Sequence, residues 1–339
     1  PGLAKTLLVQ TVARVLDLLR PLDYGARTAI LPGVELALRD AGHILGSSIV
    51  ELWGDGRKLV FSGDLGPKGT PILRDPEAIA EADLVVMEST YGDRNHRERS
   101  ATVQELGEVF EHAWRERGTV LIPAFAVGRS QELLYWFARY WQEWKLARWR
   151  IFLDSPMAGK VVAVYDRHQA LFDEQASQVW RQRPSPFRLP NLYYTETTQA
   201  SMGINAIASG AIVIAGSGMA NGGRIQHHLR HRLERRDTHV VFVGYQAEGT
   251  LGRRLVERAP WVRIHGRELR VAAQVHTVGG LSAHTDQRGL LQWYGQFRGT
   301  PPVALVHGED PARQALAGEL GRRFGARVEL PRPGTRLAV

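Results

Sequence analysis

The chain carries the stretch Ala41-Gly-His-Ile-Leu-Gly-Ser47, followed by Phe61-Ser-Gly-Asp-Leu-Gly66 and, far downstream, by Leu305-Val-His-Gly-Glu309. In each stretch a His or Asp stands after or beside a short apolar run, in a glycine-bounded turn where a side chain can point into a cleft. Imidazole and carboxylate suit zinc or manganese, and one carboxylate can bridge two ions that hold an attacking hydroxide. These stretches indicate the second half of a two-metal hydrolase site.

Each residue also has an ordinary explanation. His43 and His307 fit strand-end histidines, and Asp64 fits a turn former. Because all three residues occur in glycine-bounded turns next to apolar strands, a common metal site explains them better than three unrelated structural roles.

Short apolar runs alternate with helical patterns along the chain. The first candidate strands are Val34 to Leu38, Ser48 to Trp53, Lys58 to Ser62 and Asp83 to Met87, and the first three are arranged as in a β-meander. From about Asn95 to Gly280 strands and helices alternate, which predicts a parallel sheet flanked by helices. The predicted elements include strands from Thr119 to Pro123 and from Ala211 to Ala215, and helices from Ser130 to Trp144 and from Ala158 to Asp173. The last strand, Val303 to Val306, and the helix Pro311 to Phe324 are expected to return to the first domain. The pattern predicts an α/β protein with a second domain inserted between Asp64 and His307.

Composition fits a globular protein of two domains. The chain has 339 residues, of which 44% are hydrophobic and 23% charged. It has no cysteine, so His, Asp and Glu must provide any metal ligands. No apolar run approaches the length of a membrane span and no signal peptide is visible, so we expect no membrane partner and a cytoplasmic location.

The net charge of +8 is compatible with a polyanionic partner, because clustered arginines release counterions from a phosphate backbone. A G/C-rich genome offers another explanation. Only 5 of the 43 basic residues are lysine, and such a genome produces this arginine bias regardless of function. Charge therefore favours nucleic acid only slightly.

Motifs over nearly the whole chain resemble those of the metallo-β-lactamase-fold β-CASP nucleases, the family of the mRNA 3′-end processing endonuclease and of RNase J. The strings are those around His43, Asp64 and His307, together with Glu88-Ser-Thr-Tyr-Gly92, Pro123-Ala-Phe-Ala-Val-Gly-Arg-Ser-Gln-Glu-Leu133, Asp154-Ser-Pro-Met157, Gly216-Ser-Gly-Met219, Gly222-Gly-Arg224, His227-His-Leu229, Val243-Gly-Tyr-Gln-Ala-Glu-Gly-Thr250 and Ser282-Ala-His-Thr-Asp286. They stand in the order that the family has.

The resemblance implies a metallo-β-lactamase αββα sandwich, its N-terminal part missing, with an inserted β-CASP domain. The expected boundaries are 1–94 and 282–339 for the first domain and 95–281 for the insert. His43 would bind one of two Zn²⁺ ions, or Mn²⁺ in their place, and His307 the other, with Asp64 as the bridging ligand. His284 occupies the family's general-acid motif, and Glu88 resembles its orienting partner. The catalytic residues are thus expected to be His284, Glu88 and Asp64.

The family also carries a His-x-His-x-Asp-His run that supplies four further ligands, and this sequence has no such run. The chain opens on Pro1 and enters a helical pattern from Leu3 to Leu19. A fragment of a longer protein is the simpler expectation, and a natural paralogue poor in ligands is the second. We expect the chain by itself to bind zinc poorly and to be inactive.

The general-acid pair also has structural alternatives. Glu88 fits a strand-end carboxylate that caps the following turn. His284 fits a position before a helix from Asp286 to Tyr294, although Ser282 or Asp286 would cap that helix more naturally. A hydrogen bond between His284 and Glu88 would raise the imidazole pKa and fix its tautomer.

Candidate substrate-binding residues are Ser217, Gly218, Arg224, Arg129 and Ser282. The glycine-rich turns around Gly218 run from a strand into a helix, where free backbone N–H groups can receive phosphate, although tight turns need glycine for geometry alone. Arg224 and Arg129 could add charge-assisted contacts. His227 and His231 lie four apart on a predicted helix and could hold a metal, but their basic neighbours favour a solvated or phosphate-facing surface.

The resulting hypothesis is a zinc-dependent ribonuclease that receives single-stranded RNA between its two domains. One alternative is a noncatalytic β-CASP subunit that binds RNA or acts as a scaffold, which the absent ligand run favours. Another is a DNA-acting exonuclease of the same family. The sequence leaves open endonuclease or exonuclease action and the oligomeric state, for which a homodimer is one option.

Overall fold

The structure is a computed structural model that describes residues 18–181 and 185–337. Its strands are β1 (Thr28–Leu31), β2 (Val34–Asp40), β3 (Ser48–Gly54), β4 (Arg57–Phe61), β5 (Leu84–Glu88), β6 (Thr119–Pro123), β7 (Arg150–Asp154), β8 (Leu192–Tyr194), β9 (Ala211–Ala215), β10 (Thr238–Phe242), β11 (Trp261–Ile264), β12 (Arg267–Arg270), β13 (Gln274–Thr277), β14 (Val303–Val306) and β15 (Val328–Glu329). Its helices are α1 (Arg99–Arg115), α2 (Arg129–Arg139), α3 (Pro156–Arg167), α4 (Glu174–Arg181), α5 (Thr198–Gly203), α6 (Arg224–Arg232), α7 (Leu251–Val256), α8 (Gln287–Tyr294) and α9 (Asp310–Phe324).

The first sheet has the strand order β1-β2-β3-β4-β5-β14-β15. Strands β2 to β4 form the predicted antiparallel meander, β1 adds an unpredicted antiparallel strand to it, and β4, β5, β14 and β15 run parallel. Asp55 and Gly56 join β3 to β4 in a two-residue turn, and both have positive φ, as the favoured hairpin turn requires. The carboxyl ends of β4, β5 and β14 therefore lie along one edge of the sheet.

Helices α8 and α9 cover one face of this sheet, where Val60, Val85 and Met87 pack against Leu290 and Leu316. The opposite face carries Leu36, Leu52, Leu59 and Phe61, which are half-buried or exposed within the described residues. Alternation of inward and outward side chains along each strand separates these two sets.

The second sheet is wholly parallel, in the order β13-β10-β6-β9-β7-β8. Along β9, Ile212 and Ile214 join one hydrophobic cluster and Val213 and Ala215 join another. Both faces of this sheet are thus covered by helices, which is the usual environment of parallel strands and explains the uninterrupted apolar runs.

The second sheet is inserted between neighbouring strands of the first. Val306 of β14 pairs with Glu88 of β5, although the whole second sheet lies between them in the sequence. The insertion leaves the first sheet after Glu88, at the carboxyl end of β5, and returns beside it at His284, which contacts Glu88. Helix α8 then leads the chain to the amino end of β14.

Several elements differ from the prediction. The helix predicted from Ser130 to Trp144 ends at Arg139, and the one predicted from Ala158 to Asp173 begins at Pro156, where the Ser155 hydroxyl accepts from Ala158 N, and ends at Arg167. Residues 3–17 of the predicted first helix lie outside the described residues. Within the described ranges, no helix combines the length and apolar character needed to cross a membrane.

Candidate metal centre

Five side chains converge at the edge where the two sheets meet. Asp64, Glu88 and His307 follow or end β4, β5 and β14, His43 lies in the turn between β2 and β3, and His284 precedes α8. Four of them line a cavity of about 690 Å³ that the inserted sheet closes from the opposite side, and Glu88 lies buried behind His284. The structure thus brings together residues that are scattered over more than half of the sequence.

Asp64 lies between two imidazoles. Its Oδ2 is 3.8 Å from Nε2 of His43, and its Oδ1 is 3.5 Å from Nδ1 of His307. His43, Asp64 and His284 form one group whose ligand atoms lie within 4.8 Å of one another, and Glu88, His284 and His307 form another. Ligand atoms around a tetrahedral zinc ion stand about 3.3 Å apart, given bond lengths of about 2 Å. The spacing and chemistry of these donors fit a metal centre.

The backbone around His43 is tightly held. The Ser47 hydroxyl accepts from the His43 and Ile44 amides, and the His43 ring is bonded through Nδ1 to the Ala283 carbonyl at 3.0 Å, which leaves Nε2 toward Asp64. A Cβ at Gly66 would fall 1.8 Å from the Gly42 carbonyl oxygen. Only glycine at 66 therefore lets the turns that carry His43 and Asp64 touch.

His284 and Glu88 form a buried pair. Nδ1 of His284 lies 3.1 and 3.2 Å from the two Glu88 carboxylate oxygens, and Glu88 also accepts from the amides of Leu65 and Thr90. The amide contact from Thr90 shows that Glu88 also has the turn-capping role that was its structural alternative. The pairing leaves Nε2 of His284 without a hydrogen bond to any described residue.

This pairing decides the direction of both pKa shifts. Burial alone would lower the pKa of His284, but the hydrogen bond and charge of Glu88 outweigh it and raise the pKa. Burial opposes ionisation of Glu88 as well, and the bond to His284 nevertheless holds the pKa of that carboxyl below its usual range. The pKa of His43 is lowered, first by burial and then by the neighbouring His284. Charge is therefore concentrated on the Glu88–His284 pair while His43 is kept neutral, the form that binds a metal.

Thr90 connects the two histidines. Its hydroxyl lies 3.3 Å from Nδ1 of His284 and 3.2 Å from Nδ1 of His307, and it donates to the His307 carbonyl at 3.1 Å. His307 has φ of +51°, a conformation that costs energy for a residue with a Cβ. Thr90 therefore fixes a strained ligand position, and its place in the sequence gave no sign of this role.

Three of the five predicted substrate-binding residues lie at the cavity, and the other two do not line it. Gly218, Arg129 and Ser282 line the cavity. Arg129 is buried and forms an ion pair with Glu132, and Ser282 accepts from the His284 amide at 3.3 Å through its hydroxyl. The Ser217 hydroxyl is buried and has no hydrogen-bond partner among the described residues.

Arg224 is turned away from the cavity, contrary to the expected phosphate contact. Its guanidinium donates to the Asp154 carboxylate and the Thr195 carbonyl at 2.8 Å and to the Glu196 carbonyl at 2.9 Å. Its donors are thus used to hold α6 against the end of β7, because Asp154 is fully buried and needs a positive partner.

The three histidines of α6 differ in their exposure. His227 and His231 are exposed, as the surface interpretation expects, and His228 between them is buried against Asp154 at 2.6 Å.

Two family models match the chain. The β-CASP domain matches residues 130–255, and the domain described as a Zn-dependent metallo-hydrolase RNA specificity domain matches residues 268–331. The matches cover the inserted sheet except β6, and the segment that returns to the first sheet. They confirm the predicted α/β architecture at the level of these two domains, while the boundaries near 95 and 281 stay a prediction.

Relatives agree with these matches. A ribonuclease of Thermus thermophilus is 44% identical over 330 residues, which are 97% of this chain and 75% of that protein. The transcription termination factor FttA of Pyrococcus abyssi is 33% identical over 322 residues, or 91% of this chain and 49% of that protein. The FttA of Thermococcus kodakarensis is 32% identical over 324 residues, again 91% and 49%. The chain thus spans three quarters of the first relative and about half of the other two.

Proposed function

The chain belongs to the β-CASP family of metallo-β-lactamase-fold RNA nucleases, and from this premise we propose that the full-length protein hydrolyses phosphodiester bonds in single-stranded RNA with two zinc ions. The observation that carries the proposal is the convergence of His43, Asp64 and His307 beside the buried pair of His284 and Glu88. A cytoplasmic location and the absence of a membrane partner belong to the same proposal.

His43, Asp64 and His307 would hold the metal, with Asp64 between the two imidazoles. Bound zinc supplies hydroxide near neutral pH and draws charge from the transition state. The Ala283 carbonyl orients His43, and the Thr90 hydroxyl orients His307. A hydrogen bond to a ligand ring usually raises metal affinity, because it fixes the ring and its tautomer.

His284 would deliver the proton to the leaving 3′-oxygen. Its Nδ1 is taken by Glu88, so Nε2 is the atom that can give a proton to the substrate. The raised pKa keeps the ring protonated closer to neutral pH. Glu88 would therefore act through His284 and need not touch the RNA.

Residues 1–339 contain only part of the metal-ligand set that the family uses. Of the described residues we assign His43, Asp64 and His307 to the metal, and we reserve His284, which belongs to both donor groups, for proton transfer. The His-x-His-x-Asp-His run of the family has no counterpart in the sequence. We expect weak zinc binding and little hydrolysis from this chain alone. An RNA-binding scaffold of the same fold is the second candidate, because a scaffold needs no further ligands.

The test is His284→Ala in a full-length protein that supplies the missing ligand run. Cleavage of a labelled RNA should fall at least a hundredfold, while the bound zinc measured by elemental analysis stays constant. His231→Ala, which removes an exposed histidine on α6, serves as the matched control. Unchanged cleavage in H284A would refute its role as general acid, and a wild-type protein without zinc would support the scaffold.

Matched strands test the substrate. RNA alone offers a 2′-OH, so equal or faster cleavage of a DNA strand of the same sequence would favour the DNA-acting alternative.

A further inference from the structure

The wall of the cavity opposite the metal centre is apolar and open. Phe125 is 48% exposed, Val127 37% and Met157 63%, and Met219 lies beside them half-buried. All four line the same cavity as His43, Asp64 and His307. We call these four residues the apolar lip. Exposed side chains of this size gathered in one cleft usually mark a binding surface.

The turn that presents Phe125 is fixed by hydrogen bonds. The Phe125 carbonyl accepts from the Ser130 amide at 3.3 Å and from the Ser130 hydroxyl at 2.7 Å. The Ala126 carbonyl accepts from the Gln131 side chain at 3.1 Å, and the Val127 carbonyl from the Arg129 amide at 3.1 Å. Three successive carbonyls of this turn are thus bonded to the first turn of α2, so the backbone that presents Phe125 to the cavity is fixed before any ligand arrives.

Gly218 makes room for the ring. A Cβ at this position would lie 2.5 Å from Cδ2 of Phe125, closer than any real contact. The ring therefore packs against the backbone of the turn between β9 and α6, and any side chain at 218 would displace it. Packing of the Phe125 ring therefore explains why position 218 is glycine, independently of any contact with phosphate.

We propose that the apolar lip is a platform on which a nucleobase of single-stranded RNA stacks, while the phosphate beside that base faces His43, Asp64 and His307. This inference rests on the proposed function, since it assigns the two walls of one cavity to the two halves of a nucleotide. Phosphate requires the polar wall and a base requires the apolar one. Stacking on an aromatic ring tolerates every base, because each has a π-face.

The platform positions substrate without taking part in proton transfer. It selects RNA whose bases are unpaired, because a paired base cannot turn its face toward Phe125. It does not read sequence, since the lip offers no hydrogen-bonding group to a base edge. Met157 and Met219 adapt to bases of different size, as flexible thioether side chains do.

The test compares two ligands on the wild type and three variants. A short RNA and a chain of the same length in which every base is replaced by hydrogen are titrated by fluorescence anisotropy, with EDTA present to prevent cleavage. The variants are Phe125→Ala and, as the matched control, Phe61→Ala, whose ring is 37% exposed on β4 and does not line the cavity. Phe125→Trp keeps an aromatic face and serves as the rescue.

Phe125→Ala should weaken binding of the intact RNA about tenfold and leave binding of the abasic chain unchanged. F125W should restore the wild-type affinity, and F61A should alter neither. Equal loss on both ligands, or no loss on either, would overturn the platform. A wild-type protein that binds the two ligands equally well, or binds neither, would overturn the platform, whereas absence of RNA cleavage by the zinc-loaded full-length protein would overturn the proposed function.

Discussion

The phenol of Tyr245 donates a hydrogen bond to the carboxylate of Glu309 across the mouth of the cavity. Tyr245 follows β10 of the inserted sheet, and Glu309 precedes α9 on the first sheet. The Glu248 amide donates to the same carboxylate at 3.3 Å. Burial and the neighbouring carboxylate raise the pKa of Tyr245, so its hydroxyl remains a donor throughout the physiological range. One carboxylate thus ties the two lobes together where substrate would enter.

Tyr245→Phe should loosen this connection. A hydrogen bond to a charged group contributes about 1.5–3 kcal/mol, so the population of the open cleft should rise about tenfold or more. Hydrogen exchange of the amides in residues 244–250 is the measurement, and it should become faster. Tyr193→Phe is the control, because Tyr193 is 49% exposed on β8, away from the cavity. Exchange at the wild-type rate in Y245F would show that the bond does not hold the lobes.

Thr90→Val should lower zinc affinity of the full-length protein about tenfold without unfolding it. Valine has nearly the shape of threonine but removes the hydroxyl that lies 3.2 Å from Nδ1 of His307 and 3.3 Å from that of His284. Loss of a group that orients a ligand typically costs tenfold or more in metal affinity. Competition with a chromogenic chelator gives the affinity. Thr90→Ser should retain it, and equal binding by T90V and T90S would contradict this role.

Asp154 makes stability depend on pH at low values. Burial would raise the pKa of this carboxyl, but hydrogen bonds from His228, Ser201 and Thr195 outweigh burial and lower the pKa to about 2. In the unfolded chain the value is about 3.9. The folded pKa is the lower one, so the stabilisation is complete above about pH 4 and is lost as pH falls toward 2. The expected loss in the free energy of unfolding is about 2–3 kcal/mol.

Urea unfolding of Asp154→Asn measures this contribution. At pH 7 the variant should be less stable by about 3 kcal/mol, because Arg224 and His228 lose a buried partner. Below pH 4 its stability should fall less steeply than that of the wild type. Asp166→Asn breaks an exposed pair with Arg188 and should cost under about 1 kcal/mol. Equal effects of the two substitutions would argue against the buried network.

Gly107→Ala should destabilise the protein although alanine is the better helix former. Gly107 lies within α1, and a Cβ there would fall 2.4 Å from Nε1 of Trp144, a buried ring packed against Phe110 and Phe137. The helix propensity gain of about 1 kcal/mol is smaller than the overpacking cost of about 1–3 kcal/mol. Gly318→Ala within α9 meets no atom within 4 Å and should stabilise by up to about 1 kcal/mol. Thermal unfolding of both variants tests the opposite signs.

Periodicity and turn residues were sufficient to predict much of the fold. The bounds of β6, β9 and β14 agree with the predicted strands, because buried parallel strands are continuous apolar runs between polar or glycine turns. The hairpin of β11 and β12 was not predicted. Its arginines obscured the alternation in which Val262 and Ile264 are buried, although the His265-Gly266 turn between the strands, with both φ positive, is a typical hairpin signal.

The candidate site was predictable only in part, for a physical reason. His43, Asp64 and His307 stand at strand ends, a local feature that a sequence displays. Thr90 contacts His284 and His307, which lie 194 and 217 positions away, and Glu309 accepts from Tyr245, 64 positions away. Only the folded structure reveals such distant partners. Arg224 is the opposite case, in which a local sequence feature misleads. Its place beside a glycine-rich turn suggested a contact with substrate, but its guanidinium donates to the buried carboxylate of Asp154 instead.

The contact between Glu88 and His284 bears on how such a molecule could diversify. Since the insert leaves and rejoins the first domain beside these two neighbouring residues, an insert of another length or sequence could be exchanged without breaking any pairing of the parent sheet. Evolution could thus replace the inserted domain as a unit, which would change which polymers enter the cavity while the metal-binding and proton-transfer residues of the first domain stay the same.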